Sequence, residues 1–130
     1  MIYTNDNIYK MSLALIDERE LDGDTTDLEE RAPYIIASFC ALCKNLDKKI
    51  RERDELDDQS AFSSVKLDLN HTFPLSEPLV VPAATYVASM LIADENPSLS
   101  ESLYDKYCDA IAILGAECSC SAISDVYFND

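Results

Sequence analysis

The sequence predicts a mainly α protein, with about four principal helices in a small bundle and a short β-strand or hairpin between helices 2 and 3. Three stretches carry that expectation. Residues 79–93 are apolar on nearly every side, so a helix there must lie between other elements rather than face water. Ile35, Phe39, Leu42, Leu46 and Ile50 recur at spacings of three and four, which marks one helical face. Leu99, Leu103, Tyr107, Ala110, Ile111 and Leu114 repeat that pattern behind the stop signal Asp94-Glu95-Asn96-Pro97.

Taken in order, Asn5 or Asp6 can cap a first helix whose apolar face is Ile8, Met11, Leu15 and Ile16. Residues 17–30 hold eight acids and one base, Arg19, around Gly23, and suit a charged connection. Thr26 and Glu29 have capping-box spacing, so a helix is expected to start there, with a kink or restart near Pro33. From Tyr34 a long amphipathic helix is expected to run to about Arg53. Residues 54–78 form an excursion. Within it Val65-Lys66-Leu67-Asp68-Leu69 alternates at period two, the pattern of a half-buried strand. Its pairing partner would be the Asp125-Val126-Tyr127-Phe128 segment or another copy of the chain. Pro82 suits the first turn of the apolar helix. Ser98 and Glu101 have capping-box spacing for the last helix, and Gly115 is a plausible terminator.

The totals bound the classes. One hundred and thirty residues suit a single domain, 1–130, with 121–130 as a tail available for contacts. A chain of this length buries enough surface to fold without a disulfide or metal. The longest apolar run is too short and interrupted to span a bilayer, and Met-Ile-Tyr-Thr-Asn-Asp has neither a basic region nor an apolar signal core. The expectation is a soluble, cytoplasmic protein with no membrane partner. The net charge of −15, from 25 acids against 10 bases, repels phosphate backbones and argues against direct nucleic-acid binding. Lys44, Lys48, Lys49, Arg51 and Arg53 do cluster, but among Asp47, Glu52, Asp54 and Glu55. That interleaving suits an ion-paired helix end, with a docking patch for an acidic neighbour as the sharper alternative.

Candidate chemistry is sparse. Cys40 and Cys43 form C-x-x-C, and Cys118 and Cys120 form C-x-C, so four thiolates are available for tetrahedral zinc. The first pair lies inside a predicted helix beside its apolar face, where small buried hydrophobes are the ordinary role of cysteine. Packing is therefore the expected use, with zinc or redox chemistry as the alternatives. Cys108 is expected on the inner face of the last helix. His71 is the only histidine, and nothing in the sequence singles out a nucleophile for it to serve. Asp22-Gly23-Asp24 lacks the ordered ligand run of a calcium loop. Phosphate-binding, dinucleotide, zinc-protease and serine-hydrolase motifs are all absent from the sequence. No cofactor and no enzymatic activity are expected; a thiol- or zinc-dependent enzyme and an acidic mimic of DNA are the weaker alternatives.

The order of elements resembles that of small structural proteins of tailed phages and prophages of low-GC Gram-positive bacteria. The residues concerned are the first helix from Asn7 to Asp17, Arg31-Ala32-Pro33-Tyr34 with its long helix, Phe73-Pro74-Leu75-Ser76 with the apolar helix, and Asp94-Glu95-Asn96-Pro97 before the last. In broad shape this is similar to the head–tail connector, or adaptor, family. The resemblance implies a virion assembly protein of the host cytoplasm that self-associates into a ring beneath the portal or beside neighbouring head or tail proteins. It implies no catalytic residues. A tail or neck component of the same operon is the alternative. Subunits meeting head to tail close into rings where the rotation allows. The contact residues expected are Val65, Leu67 and Leu69 in the alternating segment and Val126, Tyr127 and Phe128 in the tail. An acidic inner wall would let DNA slide past.

Overall fold

The computed structural model describes residues 2–16 and 26–128, and the backbone alone over 120–128. Among the described residues it has five α-helices: α1 (Asn5–Leu15), α2 (Thr26–Leu42), α3 (Lys44–Arg53), α4 (Val80–Ile92) and α5 (Pro97–Phe128). The mainly helical class follows from the periodicities above. The acidic connection over 17–25 lies outside the described residues.

Helix α4 is the centre. Burying all its faces needs three neighbours, and it packs against α5, α1 and α2. Along its length only Val81 is exposed and only Met90 is intermediate. Ser89 and Thr85 tolerate this burial because their hydroxyls donate to the carbonyls of Tyr86 and Val81. Phe39 from α2 is fully buried and touches three rings: Phe73 at 6.5 Å, Tyr86 at 5.7 Å and Tyr107 at 5.9 Å. One aromatic side chain thus joins α2, α4, α5 and the excursion.

Several local expectations are corrected. Thr4, not Asn5 or Asp6, caps α1: its hydroxyl accepts from the Asn7 amide while the Asn7 side chain accepts from the Thr4 amide. Asn5 is instead buried inside the first turn, its amide donating to the Asp68 carbonyl at 2.9 Å. Asn96, not Ser98, caps α5, accepting from the Leu99 amide at 3.1 Å. Helix α2 continues through Pro33, and the interruption falls at Cys43. Leu42, the last residue of α2, is 64% exposed, off the buried face of Leu28, Ala32, Ile36, Phe39 and Cys40 and off the face where the spacing puts it. Gly115 does not end α5, which runs 32 residues, about 48 Å at the usual rise.

The predicted strand is also corrected. Val65-Lys66-Leu67-Asp68-Leu69 is not a strand, and the only β pairing among the described residues is an isolated antiparallel bridge between Thr4 and Thr72. The alternation is nonetheless physical. Leu67 and Leu69 pack on the core, whereas Val65 stays exposed. The backbone of this strap finds other partners: the Leu67 amide donates to the Pro33 carbonyl at 3.1 Å. The Leu69 and His71 carbonyls accept from Asp6 and Asn5 at 2.8 and 2.9 Å. Those are first-turn amides of α1 that have no partner within their own helix. Residues 125–128 are helical, so the other half of the expected strand pair is absent as well.

Candidate functional site

The polar centre of the molecule lies where α3 meets the excursion. Asp47 is fully buried on α3. Its carboxylate accepts from the Ser76 amide at 2.8 Å and from the Ser76 hydroxyl. It also accepts from Gln59 Nε2 at 2.9 Å and from Arg51 Nε at 2.8 Å. Burial alone would raise the Asp47 pKa; the hydrogen bonds from Ser76, Gln59 and Arg51 outweigh it and hold the carboxyl below the ordinary range. Arg51 then reaches onward to the Asp57 and Pro74 carbonyls at 2.9 and 3.1 Å. The i, i+4 spacing of Asp47 and Arg51 puts both on one side of α3, so a single helix face clamps both ends of the excursion. Every oxygen of the carboxylate is occupied, which suits a fixed structural hub.

Among the described thiols, Cys40 and Cys43 are neighbours and the others lie on α5. Cys40 lies in α2 and Cys43 at the α2–α3 break, both buried, and Cys118 is buried on α5. Burial pushes the Cys40 thiol up strongly and the Cys43 thiol up to about 11, a hydrogen bond with Tyr107 only partly offsetting the latter. Such thiols stay protonated and unreactive at neutral pH. Cys108 is exposed, against the expectation that it packs inward. The Cys120 side chain lies outside the described residues. Among the described residues no group of three or more His, Cys, Asp and Glu is placed to hold a metal ion. His71 sits in an exposed turn, its amide donating to the Asp68 carbonyl at 3.1 Å.

Of the expected contact residues, Val65 is exposed while Leu67 and Leu69 are half-buried. Val126, Tyr127 and Phe128 lie in the last turn of α5, and their side chains are outside the described residues.

Two surface features were not legible beforehand. An open groove of about 420 Å³ lies between α2 and α4, lined by Arg31, Tyr34, Ile35, Ser38, Tyr86 and Met90. Arg31 closes one side through a bond to the Met90 carbonyl at 3.3 Å, and Lys66 lies 5.7 Å from the Tyr34 ring centre. Groove residues 31, 34, 35 and 38 share one helical face, but the apolar count there is too low for a sequence pattern to flag. The second feature is the sorting of charge. Lys10, Arg31, Arg51, Arg53 and Lys66 each pair with a carboxylate. Lys44, Lys48 and Lys49 are exposed on α3 without one among the described residues.

No family model, curated protein or solved structure matches this chain. No helix among the described residues is long and apolar enough to cross a membrane.

Proposed function

We propose that this chain is a structural assembly subunit of a phage or prophage particle, of the head–tail connector kind, acting through contacts between copies and with a neighbouring portal, head or tail subunit. One observation carries the reading: where the chain spends its chemistry-bearing residues. The buried thiols, the Asp47 carboxylate and the Phe39–Tyr86–Tyr107 rings are consumed by internal packing and hydrogen bonds. Large apolar side chains face outward instead on the helices and the strap: Tyr34, Leu42, Val65, Val81 and Ile113. Buried, protonated thiols and a saturated carboxylate are poor nucleophiles and bases. Exposed aromatic and aliphatic anchors are what subunit interfaces use.

The experiment is a mixture of this protein with portal complexes, imaged by negative stain and weighed by native mass spectrometry. The expected result is several copies bound as a layer on the portal, or rings of the chain alone at high concentration. A monomer that joins neither portal nor its own copies overturns the reading.

A further inference from the structure

We propose that copies of this chain join head to tail, the lysine face of α3 on one copy docking against an acidic stripe on the outer face of α5 of the next. The inference rests on the assembly reading and specifies its contact. Helix α5 turns Leu103, Tyr107 and Cys118 inward. On the opposite side Glu101, Asp105 and Asp109 recur at i, i+4 and i+8, all exposed, none of them ion-paired among the described residues. Successive members therefore stand about 6 Å apart along the helix. Lys44 and Lys48 on α3 have that same spacing, with Lys49 beside them, exposed and likewise without an ion pair among the described residues. Two lysines one helical turn apart match two carboxylates one turn apart.

The two faces cannot meet within one molecule. Helix α5 presents its inner side to α3, through Tyr107 near Cys43 and the Arg53–Glu117 pair at 3.6 Å. The acidic stripe points the other way. Complementary faces on different sides of one chain make a heterologous contact, which propagates from copy to copy. Each face also has an apolar anchor. Leu42, 64% exposed, lies two residues before Lys44 across the break at Cys43, and Tyr104 and Ile113, 42% and 59% exposed, flank the acids. Such anchors supply most of the contact energy while the charges set partner and register. Glu52 on the lysine face and Lys106 beside the acidic stripe carry the opposite sign. Glu52 and Asp58 line the same recess as Lys48, and Lys106 the same recess as the three acids, so each patch carries a minority of the opposite sign.

The test is sedimentation velocity on the full chain at about 0.1 M ionic strength, up to about 1 mM protein. Self-association is expected for the wild type. Lys44→Glu with Lys48→Glu raises its Kd roughly 10–100-fold, and Glu101→Lys with Asp105→Lys does the same. Combining all four in one chain brings the Kd back to within a few-fold, because the reversed faces match again. All four positions are exposed, and unchanged circular dichroism checks that the fold is intact. Association that ignores both reversals, or is not restored in the fourfold variant, overturns this contact and leaves the assembly reading standing. A wild-type chain monomeric over the whole range also overturns the contact, and the portal mixture decides the assembly reading separately.

Discussion

Replacing Asp47 should unlatch the whole 54–78 excursion. Four hydrogen bonds converge on this carboxylate, from the Ser76 amide and hydroxyl, Gln59 and Arg51. At about 1.5–3 kcal/mol for each bond to a charged group the gross sum is about 6–12 kcal/mol. Most of that offsets the cost of taking the carboxylate out of water. The quantity a mutant reads is different: what the abandoned partners lose. Asp47→Ala strands four donors from three residues in a site with no exposed side-chain surface on the Asp47 side. A loss of about 3–5 kcal/mol follows. Asp47→Asn keeps the shape and one acceptor but turns an amide N–H₂ toward donors, for a loss of about 2–4 kcal/mol. Against about 5–15 kcal/mol for an ordinary domain, either loss is a large share of the total. Urea unfolding followed by circular dichroism measures it. Amide exchange should also quicken at Ser76 and through the strap that Ser76 anchors. The pH dependence has a fixed sign. The folded carboxyl is held below its unfolded value of about 3.9, so its contribution is complete above that pH and is lost as pH falls through the folded value. The gap between wild type and Asp47→Asn should therefore be constant near neutrality and close in acid. A loss under about 1 kcal/mol at neutral pH, or a gap that widens in acid, would refute the clamp.

Three further outcomes follow from single positions. Gly115 lies inside α5 with nothing within 4 Å of the Cβ it lacks, so Gly115→Ala should stabilise by about 0.5–1 kcal/mol in thermal or urea melts. Glu55 holds φ at 56° just past α3, while the Leu56 amide donates back to the Arg51 carbonyl at 2.9 Å, the helix-ending pattern that favours glycine. Glu55→Gly should gain about 0.5–1 kcal/mol, with no change if that backbone relaxes in solution. A brief iodoacetamide pulse with peptide mass spectrometry should label Cys108 well before Cys40 and Cys43, whose burial disfavours the thiolate; equal rates would contradict their packing.

Much of the helical plan was legible because burial on one or all faces leaves a period in the sequence. Residues 79–93 announced α4, and Leu103 and Tyr107 announced the inner face of α5. The caps were harder. Asn96 and Thr4 won over Ser98 and Asn5 because each side-chain oxygen accepts from the amide three residues on, and at α1 a neighbouring segment reinforces that start. The carbonyls of Leu69 and His71 already hold the first amides of α1. The break at Cys43 had no signal, since Phe39, Leu46 and Ile50 keep helical spacing across it. The strand expectation failed for a related reason. Alternation records that Leu67 and Leu69 face the core and Val65 does not, but a ladder needs a partner strand. Here the partners are a helix carbonyl at Pro33 and two helix amides. The Asp47 hub was invisible because Ser76, 29 residues away, meets it only through the fold.

The charge of −15 sharpens what a contact between copies must look like. Two such molecules repel at long range, and random encounters are disfavoured. At about 0.1 M ionic strength screening acts over about 10 Å, which removes most of that mutual repulsion. Pairs a few ångströms apart in a partly dried contact are screened much less. An attractive orientation between like-charged copies therefore needs bases concentrated on one face and left unpaired. Lys44, Lys48 and Lys49 meet that condition, whereas Arg31, Arg51 and Arg53 are committed to their own carboxylates. The consequence is a salt optimum. Association through α3 and α5 should strengthen from about 0.01 M to about 0.1 M salt, as repulsion is screened, then weaken toward 1 M as the contact pairs are screened in turn. A contact made only of apolar anchors would instead strengthen monotonically with salt. Sedimentation at three ionic strengths separates the two, and a monotonic rise would leave the lysines of α3 without a role in it.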